Sequence, residues 1–225
     1  MEHLVSPDIF GKGVRGFFTG KDPGVDLKRI SEIISIGREK IYMPMQRHTD
    51  KVVMLDSDSE PKIGDAVVVS RKGMIIGVQT ADCLPILVYD AGSHVVAAVH
   101  AGWRGTAAAI LRKTMRTMRD RFASSPSEIL IAIGPGIRAC CYEVGYEVMD
   151  AVRRATGEGK YFEKRGEKYF LDLPSANRYQ ALSDGVPGEN IWTSDECTYC
   201  LPDRYYSYRF AKGPTGRQGG FIGIV

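Results

Sequence analysis

The chain has 225 residues, 44% of them hydrophobic, with 30 Lys and Arg against 27 Asp and Glu and a formal net charge of +3. That balance excludes the concentrated positive field of a dedicated nucleic-acid binder, and the length suffices for one packed core that no proline-rich or serine-rich linker divides. The N-terminus lacks a signal-peptide run, no segment reaches the roughly 20 apolar residues of a membrane span, and 5 cysteines are not a secreted disulfide framework, so a soluble cytoplasmic protein with reduced thiols is expected.

Strand-like and helical stretches alternate along the chain. Residues 16–19 read as a strand, 26–38 as a helix, and 41–45, 52–55 and 66–70 as further strands. Residues 74–79 lead into two almost wholly apolar runs, 84–89 and 95–99. The turn chemistry of Asp90-Ala91-Gly92-Ser93 between them predicts an antiparallel hairpin. With Ala91 and Gly92 at the turn, Asp90 faces Ser93 and, at the far end, Cys83 faces His100. Thr106 is expected to cap a long helix in which Leu111, Met115, Met118 and Phe122 form the apolar stripe. Arg112, Lys113, Arg116, Arg119 and Arg121 are its solvated face. Next come a strand at 128–133 ending in Gly134-Pro135-Gly136, a helix at 145–156, a hairpin-like pair around Tyr161 and 168–171, and a helix opened by Pro174. Residues 191–193, 205–209 and 220–224 read as closing strands. Strands outnumber helices and many are antiparallel. The predicted fold is therefore α/β, a single layered domain over residues 1–225 with mixed, partly antiparallel β-sheets flanked by helices, and without internal repeats.

The chemistry gathers at the far end of the hairpin. Directly opposed side chains have Cβ atoms about 4.5–5.5 Å apart, so the Cys83 thiolate and His100 imidazole can share a metal ion. A catalytic site usually has a third protein ligand and one open position. His3 lies in the terminus and His94 starts the second hairpin strand, which leaves His48, in a polar loop between two strands. A His, Cys, His set suits zinc, with copper a chemically permitted occupant. The plain alternative makes Cys83 a small buried apolar residue and His100 a satisfied strand histidine. A thiol facing an imidazole also describes the nucleophile and base of a cysteine hydrolase.

After His100, Ala101-Gly102-Trp103-Arg104-Gly105-Thr106 is a glycine-punctuated turn into a helix. Its free N–H groups favour an anion, and Arg104 can add a charge-assisted fork to a phosphate or carboxylate. Alternatively the glycines only permit a tight turn and Trp103 plugs the core. Cys140 and Cys141 with Cys197-X-X-Cys200 offer four further thiols, a spacing compatible with a second zinc or a redox pair. An adjacent pair is poor geometry for a zinc knuckle, so these cysteines are expected to be structural and reduced.

These motifs resemble the laccase-domain family, also called multicopper polyphenol oxidase-like proteins, whose members include zinc-dependent purine nucleoside phosphorylases. The resemblance rests on residues 46–52, Thr80-Ala81-Asp82-Cys83, residues 99–105, Gly134-Pro135-Gly136-Ile137 and Cys140-Cys141-Tyr142-Glu143-Val144. It continues through Leu171-Asp172-Leu173 with Asn177, Cys197-Thr198-Tyr199-Cys200, Ser207-Tyr208-Arg209 and Thr215-Gly216-Arg217, in the family's order and over nearly the whole chain. The resemblance implies a layered α/β fold related in shape to a group of cysteine hydrolases, with His48, Cys83 and His100 as the metal trio. It implies zinc as cofactor, copper being the alternative occupant, and phosphorolysis of adenosine, inosine or methylthioadenosine to free base and ribose 1-phosphate. Some members also deaminate adenosine.

The expected partners are thus a purine nucleoside and phosphate, with no nucleic acid and no membrane. The candidate catalytic residues are Asp82 as proton carrier, Cys83 and Arg104; Gln46, Arg104 and Gly105 are the candidates for substrate binding. One departure is that Gly20 and Lys21 follow Gly16-Phe17-Phe18-Thr19 where the family usually places an arginine. Arg47 and Thr49 also depart from the usual first histidine motif. Three rivals stand beside this reading: an amidase-like hydrolase of cell-wall precursors, a copper-dependent polyphenol oxidase, and a metal-free binding module. Four histidines in all are few for several copper centres.

Overall fold

The strands Leu84–Asp90 and Val95–Ala101 are buried at every position, and their alternation divides the core in two. Leu84, Ile86, Val88, Val95, Ala97 and Val99 pack on one side with Ile110, Leu111, Met115 and Met118 of a helix. Leu87, Val96 and Ala98 face the other way, against Ile76, Val78 and Ile222 of a second sheet. Such continuous apolar runs arise because a sheet covered on both faces has no solvent side. The computed structural model describes residues 4–55 and 60–225. His3 lies outside the described residues.

The central sheet has six strands in the order Ile191–Thr193, Ile129–Ile133, Leu84–Asp90, Val95–Ala101, Ala66–Val69 and Val52–Met54. Its two edge pairs are parallel and its interior pairs antiparallel. The second sheet runs Leu4–Val5, Val14–Thr19, Gln218–Ile224, Met74–Thr80, Ile41–Tyr42, and only its last pair is parallel. On its outer face Phe17, Ile75 and Phe221 pack with Ile30 and Ile34 of the helix Leu27–Ile34. Helices Ile110–Phe122, Tyr146–Thr156 and Leu173–Ser183 cover the central sheet. The result is four layers, helix, sheet, sheet, helix, in agreement with the expected mixed α/β fold. A small third sheet joins Glu143–Val144, Lys168–Leu171 and Phe162–Arg165. No helix among the described residues is long and apolar enough to cross a membrane.

Four local expectations are corrected. The Asp90 carboxylate accepts from the N–H groups of Gly92 and Ser93, keeping Asp90 in the strand opposite Val95 and leaving four residues in the connection. His100 therefore faces Pro85, and Cys83 lies one step beyond the last pair, Leu84 with Ala101, level with Gly102. The first helix stops at Ile34 because Ser35 is left-handed and turns its N–H back to Glu32. Thr106 does not cap the long helix. It lies inside a separate five-residue helix, Trp103–Ala107, and left-handed Ala109 precedes Ile110–Phe122. Thr106 is buried there, taking hydrogen bonds from Asn177 at its hydroxyl and Gln180 at its carbonyl. Finally, residues 205–209 are not a strand. The Ser207 hydroxyl accepts from the Phe210 N–H and caps a short helix, Tyr208–Ala211, a local bond that outweighs the strand propensity of the tyrosines.

Candidate metal centre

His48 comes from the loop before Val52–Met54, Cys83 from the residue that precedes Leu84–Asp90, and His100 from the end of Val95–Ala101. Their donor atoms all lie within 4.8 Å of one another. Cys83 Sγ is 3.9 Å from His48 Nε2, and the two imidazoles meet edge to face with centroids 4.8 Å apart.

Asp65 holds this arrangement. Fully buried at the start of Ala66–Val69, its Oδ1 accepts from the His48 N–H at 3.0 Å and from His100 Nδ1 at 2.8 Å. Its Oδ2 accepts from the N–H groups of Arg47 and Thr49 and from the Thr49 hydroxyl. The carboxylate thus fixes the His100 ring and presents the other nitrogen to Cys83, the usual support of a metal-binding histidine. It also holds His48 at φ 56°, a left-handed conformation that costs on the order of 1–3 kcal/mol and persists where its surroundings enforce it. Nothing in the sequence marked Asp65 out; the one signal is a lone acidic residue opening a wholly apolar strand.

Gly102 makes room for the sulfur. A Cβ on Gly102 would sit 2.6 Å from Cys83 Sγ and 3.7 Å from His48 Cδ2, so only glycine fits level with the thiol. Burial pushes the Cys83 thiol up, but His100 and then His48 outweigh it and bring the pKa down to about 6. For His100, burial works downward and is overcome by the Cys83 thiolate and by Asp65, which raise it to about 9. Asp65 is opposed by burial, yet its hydrogen bonds from His100 and Thr49 hold it well below the usual carboxylate range. The donor set, two imidazoles and a thiolate with a carboxylate behind one histidine, fits a zinc-type centre.

The trio opens onto a cavity of about 530 Å³, a size suited to a small-molecule substrate. Three arginines line it: Arg104, Arg209 and Arg217. The Arg104 guanidinium lies 4.4 Å from the Trp103 ring centroid, and that of Arg209 5.2 Å from the Tyr142 ring centroid. Trp103, Tyr142 and Tyr208 supply the aromatic wall. Arg209, Arg217 and Tyr142 belong to motifs that carried the family resemblance, where no role was assigned to them. Lys21, where the family's early arginine is missing, lies over the Tyr206 ring.

The other expected site residues are placed as follows. Gln46 is in the cavity wall, but its amide is paired both ways with the Gln79 backbone at 2.8 Å, tying the His48 loop to Met74–Thr80. Gly105 is buried behind the site, where a Cβ would meet Ile110 Cγ2 at 3.2 Å and the His100 carbonyl at 3.3 Å. Asp82, left-handed at φ 84°, accepts from the Thr198 hydroxyl at one oxygen and from the Arg209 N–H at the other, each at 2.7 Å. His94 is far from the trio, its Nδ1 3.1 Å from the Tyr89 hydroxyl. The turn after His100 runs into a helix of only five residues, so positive charge in the cavity comes mainly from arginine side chains.

The sequence profile of the family described as multi-copper polyphenol oxidoreductase laccase matches residues 25–225. A protein named purine nucleoside phosphorylase from Aquifex aeolicus is 40% identical over 177 residues, covering 78% of this chain and 79% of its own. A protein named adenosine deaminase RL5, from an unknown prokaryote, is 33% identical over 204 residues, covering 85% and 77%. The crystal structure of YlmD from Geobacillus stearothermophilus superposes with a TM-score of 0.91 at 29% identity, covering 97% of this chain and 94% of that one.

Proposed function

The chain belongs to the multi-copper polyphenol oxidoreductase laccase family, and on that premise we propose that it splits purine nucleosides with phosphate, giving free base and ribose 1-phosphate. One observation carries the reading: the cavity that holds the His48, Cys83 and His100 donors is also lined by three arginines and three aromatic rings. Phosphorolysis breaks the bond from ribose C1′ to the purine nitrogen while phosphate attacks. The enzyme must therefore hold an anion beside a developing oxocarbenium and keep the base in place.

The arginines supply the anion contacts. Arg104 is stacked on Trp103 and exposed at the cavity, and its planar fork can take phosphate oxygens in pairs. Arg209 and Arg217 add charge from the opposite end of the chain, and Tyr142, Tyr208 and Trp103 offer faces to a planar base. Asp82 works as a positioning residue: with both oxygens engaged, it fixes the backbone beside Cys83 and the start of the helix that carries Arg209. Gln46 and Gly105 position the His48 loop and the turn after His100 in the same sense. Zinc held by His48, Cys83 and His100 would supply Lewis-acid stabilisation of developing negative charge. Reduced thiols accord with a cytoplasmic setting.

Adenosine deamination is the second reading, favoured by the relative named for it. A multi-copper oxidase is poorly supported, since only two imidazoles, His48 and His100, reach the centre among the described residues.

The test incubates metal-quantified protein with adenosine, inosine and methylthioadenosine, with and without phosphate, beside Cys83→Ala. Phosphate-dependent release of base and ribose 1-phosphate, lost in the variant and on chelation, is expected. Phosphate-independent conversion of adenosine to inosine alone would favour the deaminase. Metal-loaded protein inert toward all three nucleosides would overturn the proposal and direct attention to cell-wall amides, and turnover that survives chelation would favour Cys83 as a nucleophile.

A further inference from the structure

The four cysteines outside the trio converge. Cys140 and Cys141 lie in a turn where the N–H groups of Cys141 and Tyr142 both donate to the Arg138 carbonyl, at 3.0 and 2.9 Å. Cys197 to Cys200 form a second turn, closed by the Leu201 N–H on the Cys197 carbonyl at 3.1 Å. A parallel bridge between Gly136 and Cys197, with the Thr198 N–H on the Gly136 carbonyl, clamps the two turns together. All four sulfurs then lie within 4.8 Å of one another. Cys200 Sγ is 3.6 Å from that of Cys140 and 3.2 Å from that of Cys141.

The objection raised by the adjacent pair fails here, because tertiary pairing of the two turns, not spacing along the chain, brings the sulfurs to one point. Zinc bound tetrahedrally at about 2.3 Å holds its sulfur ligands roughly 3.8 Å apart, close to the separations seen. A disulfide requires about 2.05 Å. Four thiolates without an open position make a closed, structural type of site, and soft sulfur donors select zinc over the hard divalent ions.

We propose that Cys140, Cys141, Cys197 and Cys200 form a second metal centre, an all-thiolate zinc site that braces the wall of the substrate cavity. The bracing follows from the neighbours. Tyr142, next to Cys141, lines the cavity, and Thr198, inside the second turn, donates to Asp82 beside Cys83. The Ile137 N–H, in the same segment as the first pair, donates to the Asp82 carbonyl at 2.9 Å. An ion at the four sulfurs thus ties together the segments of the two turns, both of which are hydrogen-bonded to Asp82 beside Cys83.

The test compares wild type, Cys200→Ser and Cys83→Ser, each prepared under reducing conditions, supplied with zinc and desalted. Zinc per chain is counted by native mass spectrometry, and the shell of the ion is read by X-ray absorption. Two zinc ions are expected in wild type and one in each variant. The ion kept by Cys83→Ser should have four sulfur neighbours, and this variant, with all four cysteines intact, carries the test even if Cys200→Ser does not fold. A single zinc in wild type, no zinc in Cys83→Ser, an ion there with nitrogen neighbours, or a Cys141 to Cys200 disulfide that persists under these reducing conditions would each overturn the proposal.

Discussion

The two donor clusters are built by different means, and only the first lines the cavity, which the second reaches through Tyr142, next to Cys141. The first draws three donors from a loop, a strand entry and a strand end, and relies on buried Asp65, which accepts from the His100 ring and from the backbone of His48. The second draws two donors from each of two turns, with a single backbone bridge between them and two of its cysteines exposed. Three supported donors facing a cavity leave room for a reacting molecule, whereas four thiols closing on one another leave none. The contrast matches the general distinction between open metal sites that do chemistry and closed ones that hold shape.

Removing the carboxylate support is the sharpest way to break the comparison. Asp65→Asn is expected to weaken zinc binding at the first centre by about 10–100-fold while leaving the second unchanged, as read by competition with a chelator in the Cys200→Ser and Cys83→Ser backgrounds. Undiminished affinity at the first centre would show that Asp65 is not its support. A smaller effect comes from Gly102→Ala, whose methyl meets the Cys83 sulfur without removing any donor. Displacing a ligand by a fraction of an ångström should lower turnover of zinc-loaded enzyme by on the order of 10-fold, with the zinc count still at its wild-type value; wild-type turnover would mean that the sulfur has slack.

A change of pH separates the clusters more gently. Metal binding needs deprotonated donors. Near neutrality Cys83, at about 6, is already a thiolate, whereas His100, at about 9, must give up its proton. Affinity at the first centre should therefore rise about tenfold per pH unit between those two values. At the second cluster burial and neighbouring thiols hold Cys140 up to about 11 and Cys141 higher still, while hydrogen bonds from Cys141 and Cys140 draw Cys200 down. Binding there displaces more protons, so its affinity should fall more steeply on acidification. Zinc release followed against pH in Cys83→Ser and Cys200→Ser gives the two slopes, and equal slopes would erase the distinction.

The first centre was far more legible in the sequence than the second. Two apolar runs around turn residues identified the hairpin, and residue chemistry brought His48 to Cys83 and His100. The expected register was wrong by two residues, yet with a period of two such a slip leaves every side chain on its own face, so Cys83 and His100 still share one. Asp65 was not legible, because one acidic residue at a strand entry has no periodic signature. The four remaining cysteines could be grouped from the sequence, but the adjacent pair argued against a zinc site there, because the bridge that brings Cys140 and Cys197 together joins distant turns. At residues 205–209 aromatic content suggested a strand, and one serine hydroxyl decided otherwise.

Asp65 opens the strand that pairs with Val95–Ala101, and its carbonyl receives the His100 N–H at 2.7 Å. Zipping those two strands therefore delivers a ligand and its carboxylate in the same event, and the His48 loop finds its anchor already in place. Fixing a residue's backbone costs roughly 1–2 kcal/mol, and for this trio that cost falls within folding itself. A metal ion entering the trio would meet donors already in place, so the energy otherwise needed to order them stays with the metal–ligand bonds.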